Sequence, residues 1–192
     1  DELYRNLVKA GESAGVLDDI LVYQIHLPEG GLSGYGLVVN ASNRTKIVSW
    51  LNQRRGDFDV GIDDKTADYA MISIQGPKAI EVLDAICDYE LTSLRYYFGV
   101  MARVASFRSF VSRTGYTGED GCEIICDAAD AGIIWTRLIE RAEPLGGGPV
   151  GLAARDTLRL EAGMPLYGHE LSEQINPVQA DLNFAINLRG RE

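Results

Sequence analysis

The segment SRTGYTGEDG, residues 112–121, most constrains the fold of this chain. Glycine occurs at every third position, and the segment lies between two runs rich in β-branched and aromatic residues. Gly118 and Gly121 permit positive φ, and the side chains of Thr117 and Asp120 can bond back to the main chain. The pattern therefore predicts a tight turn between two strands, and the question is whether that turn also holds a ligand.

Strand and helix patterns alternate along the rest of the chain. Gly-rich residues 27–36 separate the first two strands, which predicts an antiparallel hairpin with a long loop. Asn43 is a plausible N-cap for the first helix, and Pro77 fits the first position of the second. The predicted strands cover 16–26, 36–40, 58–64, 69–75, 96–103, 105–113 and 121–127, and the predicted helices cover 44–54, 77–86, 130–141 and 152–162. This order favours an α+β fold with ferredoxin-like βαβ elements and antiparallel sheet.

Composition excludes several classes of function. The net charge of -10 and the pI of about 4.7 argue against general binding to nucleic acid. Apolar runs are strand-sized, so no membrane-spanning segment is expected. The three cysteines and two histidines show no metal-ligand spacing, so we expect no metal site, and an odd cysteine count suits a reducing compartment.

Two common motifs lack their structural context. Gly146, Gly148 and Gly151 satisfy G-x-G-x-x-G, but a predicted helix precedes them where a dinucleotide-binding unit needs a strand. No G-x-S-x-G elbow exists for a Ser–His–Asp triad. Cys122 and Cys126 alternate with apolar residues on one face of a predicted strand, which favours burial over reactivity.

Asp18 and Asp19 lie between apolar residues of the first predicted strand. Because adjacent strand residues face opposite ways, at least one carboxylate should share a layer with apolar side chains and need pairing or hydrogen bonds. The alternative is a strand that starts at Ile20, with both acids in solvent.

Glu123, Arg155 and Arg159 each allow two interpretations. Glu123 lies opposite Cys122 and Ile124 on its strand, on either a solvated face or the wall of a binding pocket. Arg155 and Arg159 lie one helical turn apart, as either a salt-bridge network or a guanidinium fork for an anion.

Several segments together resemble the aminomethyltransferase family, the T-protein of the glycine cleavage system. The two most specific are SRTGYTGEDGCEI and, some thirty residues later, GLAARDTLRLEAGMPLYGHEL. Four further segments agree in order, although Phe184 stands where Trp is commoner: GVLDDILVY, LVVNASNRTK, IQGPKAIEVL and NPVQADLNFAINL. The resemblance covers essentially the whole chain.

The resemblance implies a reaction. An aminomethyl group on the dihydrolipoyl arm of the H-protein would be the donor and tetrahydrofolate the acceptor, with release of ammonia and no metal. It implies the bacterial cytoplasm or the mitochondrial matrix as the location. The alternatives are a folate-dependent demethylase, the folate domain of a dimethylglycine or sarcosine oxidase, and a non-enzymatic folate-binding module.

The same resemblance assigns six site residues. Asp19 is the critical acid, and Asn40 lies near it. Glu123 accepts hydrogen bonds from the donor edge of the pterin, and Tyr116 and Tyr23 pack against its ring. Arg155 offsets the negative charge of the folate. Arg113 and Tyr167 are motif members that we assign to architecture.

Family members are longer on both sides, so the resemblance also implies a central portion of the folate-binding region. Such a portion would lack an N-terminal part and a C-terminal β-barrel, and we expect it to be inactive alone. Residues 1–105 would form a first ferredoxin-like part, and residues 106–192 a second that completes a discontinuous domain.

Overall fold

The structure is a computed structural model that describes residues 3–10, 15–25 and 34–183. Contacts group these residues into two compact units. We call Lys65–Met164 the continuous unit, and Leu3–Asp64 together with the chain from Pro165 onward the split unit. The mixed α+β class and the antiparallel sheets are as the sequence predicts.

The split unit contains a three-stranded antiparallel sheet in the order β1-β2-β3. Its elements are β1 (Leu3–Ala10), β2 (Gly15–Ile25), β3 (Gly34–Val38) and helix α1 (Arg44–Arg54). The sequence analysis did not assign β1. The β2–β3 hairpin and α1 are confirmed.

Strand β2 carries a β-bulge near its start. Asp18 pairs with Val8, whereas Val16 pairs with the very next residue of β1, Lys9, so Leu17 is an extra residue in β2. The Val16 N–H donates 3.0 Å to the Ser172 carbonyl, and the Val16 side chain is buried with Leu171 and Leu182. The returning segment therefore anchors the beginning of β2.

The continuous unit is built on a four-stranded sheet in the order β4-β7-β6-β5, in which each neighbouring pair is antiparallel. Its strands are β4 (Tyr69–Gln75), β5 (Gly99–Val104), β6 (Phe107–Ser112) and β7 (Gly121–Asp127). Its helices are α2 (Ala79–Asp84), α3 (Ala131–Ala142) and α4 (Leu152–Glu161). Residue 105, at which the first of the two predicted parts ends, lies in the tight turn between β5 and β6, inside the continuous unit.

One face of this sheet forms the core with α2 and α3. Cys122, Ile124 and Cys126 alternate along β7 and are at most 1% exposed. They pack with Val82 and Leu83 of α2 and with the buried side of α3. Burial of each large apolar side chain contributes roughly 1.5–3 kcal/mol. Glu123 lies on the other face of the sheet and is half-buried.

Two local predictions are wrong. Residues 58–64 form neither a strand nor a helix, and Phe58 is 74% exposed. Pro77 is not the first residue of α2, which begins at Ala79. Asn43 occupies the N-cap position of α1 as predicted, but its side chain makes no capping hydrogen bond. Within the described ranges, no helix is long and apolar enough to cross a membrane.

Candidate functional site

Hydrogen bonds and an ion pair among its own residues stabilise the glycine-rich turn between β6 and β7. Thr117 and Asp120 bond back to the main chain, at 3.4 Å to the Glu119 N–H and 2.9 Å to the Gly121 N–H. Arg113 clamps the turn with a two-bond ion pair to Asp120, at 3.0 and 2.6 Å. This pair lowers the pKa of the Asp120 carboxyl and raises that of the Arg113 guanidinium. The predicted turn is confirmed.

The glycines of this turn have three different roles. Gly118 has a φ of +77°, which favours glycine, and a Cβ there would also lie 2.8 Å from the Ala162 Cβ just after α4. Gly121 does not have positive φ, contrary to the sequence-based expectation; a Cβ there would lie 2.3 Å from the Ile74 carbonyl oxygen. Gly115 leaves room for the side-chain amide of Gln75.

Glu123 lies on β7, two residues beyond the turn, on the sheet face away from the core. Its Oε2 atom is buried and has no hydrogen-bond partner among the described residues. Burial raises the pKa of the carboxyl, and the positive charge of Arg155 offsets part of that effect. An acceptor that is buried and unpaired costs roughly 1–3 kcal/mol, so a donor group that reached Oε2 would remove that cost.

Arg155 and Tyr116 lie together beside this acid. The Arg155 guanidinium carbon is 4.5 Å from the centroid of the Tyr116 ring, a cation–π arrangement. Arg155 is exposed and Tyr116 is half-buried. The structure therefore brings together three of the predicted site residues, Tyr116, Glu123 and Arg155, in the continuous unit.

Arg159 belongs to a salt-bridge network, the other of the two interpretations that the sequence allows. It is 3% exposed, and it donates 2.8 Å to Asp156 Oδ1 and 3.2 Å to the Met164 carbonyl oxygen. These bonds hold the end of α4. Of the two arginines, only Arg155 is placed to meet a ligand.

The other predicted site residues lie in the split unit, and two of them, Asp19 and Asn40, adjoin a buried carboxylate, Asp18, that the sequence analysis did not choose. Asp18 is 0% exposed and is the acid that shares a layer with apolar side chains. Asp19 is half-buried. The alternative in which the strand starts at Ile20 is wrong, because β2 begins at Gly15.

Asn40 lies against both acids. Its Nδ2 donates 2.7 Å to Asp18 Oδ1 and 3.2 Å to the Asp19 carbonyl oxygen. Asn40 is thus near Asp19, as expected, but its amide is directed at Asp18. Tyr23, on the same strand β2, is only 2% exposed, so little of its ring is available to a ligand.

Neither unit supplies a metal centre: within the described ranges, no group of three or more His, Cys, Asp or Glu side chains could hold a metal ion. The buried Glu123 oxygen instead fits an organic ligand with N–H donors.

Curated relatives of the chain are aminomethyltransferases. The Geobacillus thermodenitrificans protein is 47% identical over 91% of this chain, and the Streptomyces avermitilis protein is 45% identical over 88%. These alignments cover 47% and 44% of the relatives, so the chain spans about half the length of the curated relatives it matches.

Solved structures agree on the fold. The structure of glycine cleavage system aminomethyltransferase T from Bartonella henselae matches with a TM-score of 0.80 and 28% identity, over 97% of this chain and 48% of that one. A heterotetrameric sarcosine oxidase from Corynebacterium sp. U-96 matches with a TM-score of 0.51 and 18% identity, over 77% and 69%, which shows likeness of fold alone. Residues 4–190 match the GCVT N-terminal domain family, and the chain belongs to that family.

Proposed function

We propose that this chain is the folate-binding part of a glycine cleavage aminomethyltransferase. The reaction transfers the methylene carbon from the aminomethyl-dihydrolipoyl arm of an H-protein to tetrahydrofolate, with release of ammonia. The enzyme would work in the cytoplasm of a bacterium or in the mitochondrial matrix of a eukaryote. Membership of the family and the names of the relatives support this proposal.

The observation that carries the proposal is the unpaired Oε2 atom of Glu123. The pterin ring of a folate has a guanidine-like edge with adjacent N–H donors, and a carboxylate accepts two parallel hydrogen bonds from such an edge. Because the ligand-free protein leaves this acceptor buried and unsatisfied, binding such an edge removes an existing cost as well as adding bonds.

Arg155 and Tyr116 supply complementary features for the same ligand. Folate carries carboxylates, and Arg155 provides an exposed positive charge on a chain whose net charge is -10. The half-buried Tyr116 ring offers a flat apolar surface, which the Arg155 guanidinium already covers on one side at 4.5 Å. The two residues thus suit an anion attached to an aromatic ring.

Asp19 is the acid that we assign to the reaction itself. A carboxylate fixed near the carbon being transferred stabilises the positive charge that develops as ammonia leaves, and it orients the attacking nitrogen of the acceptor. Its half-buried position on β2 is compatible with contact to a substrate.

Folate binding is tested by titrating tetrahydrofolate into the full-length gene product while tryptophan fluorescence is recorded. We expect a saturable change for the wild type, and a roughly ten- to hundredfold weaker Kd for Glu123→Gln, since a hydrogen bond to a charged group contributes about 1.5–3 kcal/mol. Glu119→Gln is the matched control, because it removes the same charge from an exposed residue of the same turn. No saturable change in the wild type would refute every folate-based function.

The transfer reaction is tested separately, by measuring ammonia release from aminomethylated H-protein in the presence of tetrahydrofolate. We expect turnover by the wild type and loss of turnover in Asp19→Ala. A protein that binds tetrahydrofolate but releases no ammonia would be a folate-binding module or a relative with different chemistry. Unchanged turnover in Asp19→Ala would remove that residue from its role.

A further inference from the structure

Asp18 is a buried carboxylate for which the proposed reaction has no use. It accepts four hydrogen bonds: 3.1 Å from the Asn40 N–H, 2.7 Å from Asn40 Nδ2, 2.8 Å from Asn43 Nδ2 and 3.0 Å from the Asp19 N–H. None of these four donors carries a charge. An ionised carboxylate at 0% exposure is tolerated only when its lone pairs are satisfied in this way. These hydrogen bonds therefore also fix the orientation of the groups that donate them to Asp18.

The network determines which way the Asn40 amide faces. Asn40 Nδ2 lies between Asp18 Oδ1 and the Asp19 carbonyl oxygen, and both of these atoms are acceptors. Only the NH₂ group of an amide can bond to both, so the Asn40 Oδ1 atom is turned away from the carboxylate. Asn43 is oriented by the same logic, because its Nδ2 lies 3.3 Å from the Leu17 carbonyl oxygen and 2.8 Å from Asp18 Oδ1.

The β-bulge explains how this arrangement arises. The extra residue Leu17 interrupts the alternation of β2, so Val16, Leu17 and Asp18 are all at most 5% exposed. Asp19 resumes the alternation and is half-buried. Bulges bend a strand and re-aim the side chains that follow them.

We infer that Asp18 is a positioning residue for the reaction. Its carboxylate accepts hydrogen bonds from the Asp19 N–H and from Asn40 Nδ2, and it thereby turns Asn40 so that the amide presents its carbonyl oxygen. A substrate that contacts Asn40 must therefore offer an N–H donor there, as an amine acceptor of a one-carbon group does. This inference rests on the proposed function and extends it to a residue that does not touch the substrate.

The test is Asp18→Asn in the full-length gene product. The variant keeps the size of the side chain but replaces one acceptor with an NH₂ group, which favours rotation of the Asn40 amide. We expect kcat for ammonia release to fall about 10- to 100-fold, because small misplacement of reacting groups has effects of that order. The Kd for tetrahydrofolate should rise by a smaller factor than kcat falls, because the proposed contact of Glu123 with the pterin edge is left unchanged. Hydrogen exchange at the Asp19 and Asn40 amides should accelerate.

Asp84→Asn is the matched control, since it makes the same chemical change at a carboxylate of the continuous unit, which accepts a hydrogen bond from the Leu91 N–H at 2.9 Å. We expect its kcat to equal that of the wild type. If Asp18→Asn does not fold, Asn43→Ala removes one of the four donors without touching Asn40 or Asp19, and kcat should fall about threefold or more with unchanged Kd.

The outcomes separate this inference from the proposed function. An inactive wild type would refute the proposed function and this inference with it. An active wild type with an unchanged kcat per folded molecule in Asp18→Asn, or in Asn43→Ala where that variant is needed, would refute only the inference. A fall in stability without a fall in kcat would likewise show that Asp18 has a merely structural role.

Discussion

Gly115 allows a side chain from the neighbouring strand to brace the turn that carries Tyr116. A Cβ at this position would lie 1.8 Å from Gln75 Oε1, 2.4 Å from Cδ and 2.6 Å from Nε2. The φ of Gly115 is not in the left-handed region, so alanine can adopt its backbone conformation. The effect of Gly115→Ala must therefore come from displacement of the Gln75 amide.

The size of that effect follows from the bonds that Gln75 makes. Its Nε2 atom donates 3.0 Å to the Thr114 carbonyl oxygen and 3.3 Å to the Cys122 carbonyl oxygen. Two such bonds contribute about 1–3 kcal/mol together, so Gln75→Ala should lower the free energy of unfolding by about 2 kcal/mol. Gly115→Ala should lower it by a similar amount, offset by up to about 1 kcal/mol from the stiffer unfolded chain.

The two changes should not add. Once Gln75 is alanine, a methyl group at position 115 meets no amide, so the double variant should be about as stable as Gln75→Ala alone. The coupling free energy of the cycle is then roughly 1–2 kcal/mol, well above the additivity error of about 0.5 kcal/mol.

Urea unfolding measures this cycle if the fluorescence of the continuous unit is isolated. Trp135 lies in α3 of that unit, so each variant is made in a Trp50→Phe background and Trp135 is followed. Gly148→Ala is the control, because a Cβ there meets nothing within 4 Å. Additive effects of Gly115→Ala and Gln75→Ala would refute the reasoning, since they would mean that the methyl group does not displace the amide.

Three further predictions concern charged and nucleophilic groups. Because burial raises the pKa of Glu123, the ligand-free protein should lose stability as pH rises through that pKa, and Glu123→Gln should remove this component in urea unfolding at several pH values. Because Arg113 lowers the pKa of Asp120, the stability that this ion pair contributes is present above the usual aspartate pKa and is lost as pH falls through the lowered pKa. Arg113→Ala should lower the free energy of unfolding by about 1 kcal/mol at neutral pH, a modest amount because both side chains are partly exposed. The same variant should show a weaker loss of stability at acid pH. Burial raises the pKa of Cys122 to about 12, so mass spectrometry should find it unmodified by iodoacetamide in the folded protein at pH 8 and modified after denaturation.

Most of the fold could be predicted from local patterns, and the failures have physical causes. The bounds of α1, Arg44–Arg54, were predicted to the residue from a polar residue at the N-cap position, although the Asn43 side chain makes no capping hydrogen bond. Residues 58–64 alternate apolar and acidic residues as a strand does, but the structure pairs them with no other strand and leaves Val60 51% exposed. A strand needs a partner, and the sequence of one segment does not show whether a partner exists.

In the continuous unit, only part of the candidate site can be predicted from the sequence. Alternation alone puts Glu123 on the sheet face opposite Cys122 and Ile124, which face the core together, but it leaves open whether that face is solvated or lines a site. The contrast between Arg155 and Arg159 does not follow from their spacing. Arg159 is buried and donates to the Met164 carbonyl oxygen, beyond the end of α4, and that contact depends on how the chain turns after the helix.

The sequence pattern also cannot show which of the two acids in β2, Asp18 or Asp19, is buried. Alternation predicts that one of Asp18 and Asp19 faces inward, but a bulge shifts the alternation by one residue, and bulge placement depends on the register of the neighbouring strand. The family resemblance selects Asp19 as the reacting acid without explaining why a second acid precedes it. The structure shows what distinguishes the two: Asp18 is 0% exposed and its carboxylate accepts four hydrogen bonds, whereas Asp19 is half-buried, as the roles proposed for them require. Both acids pair regularly with β1, Asp18 with Val8 and Asp19 with Leu7, so it is the extra residue Leu17 just before them that decides which of the two faces inward.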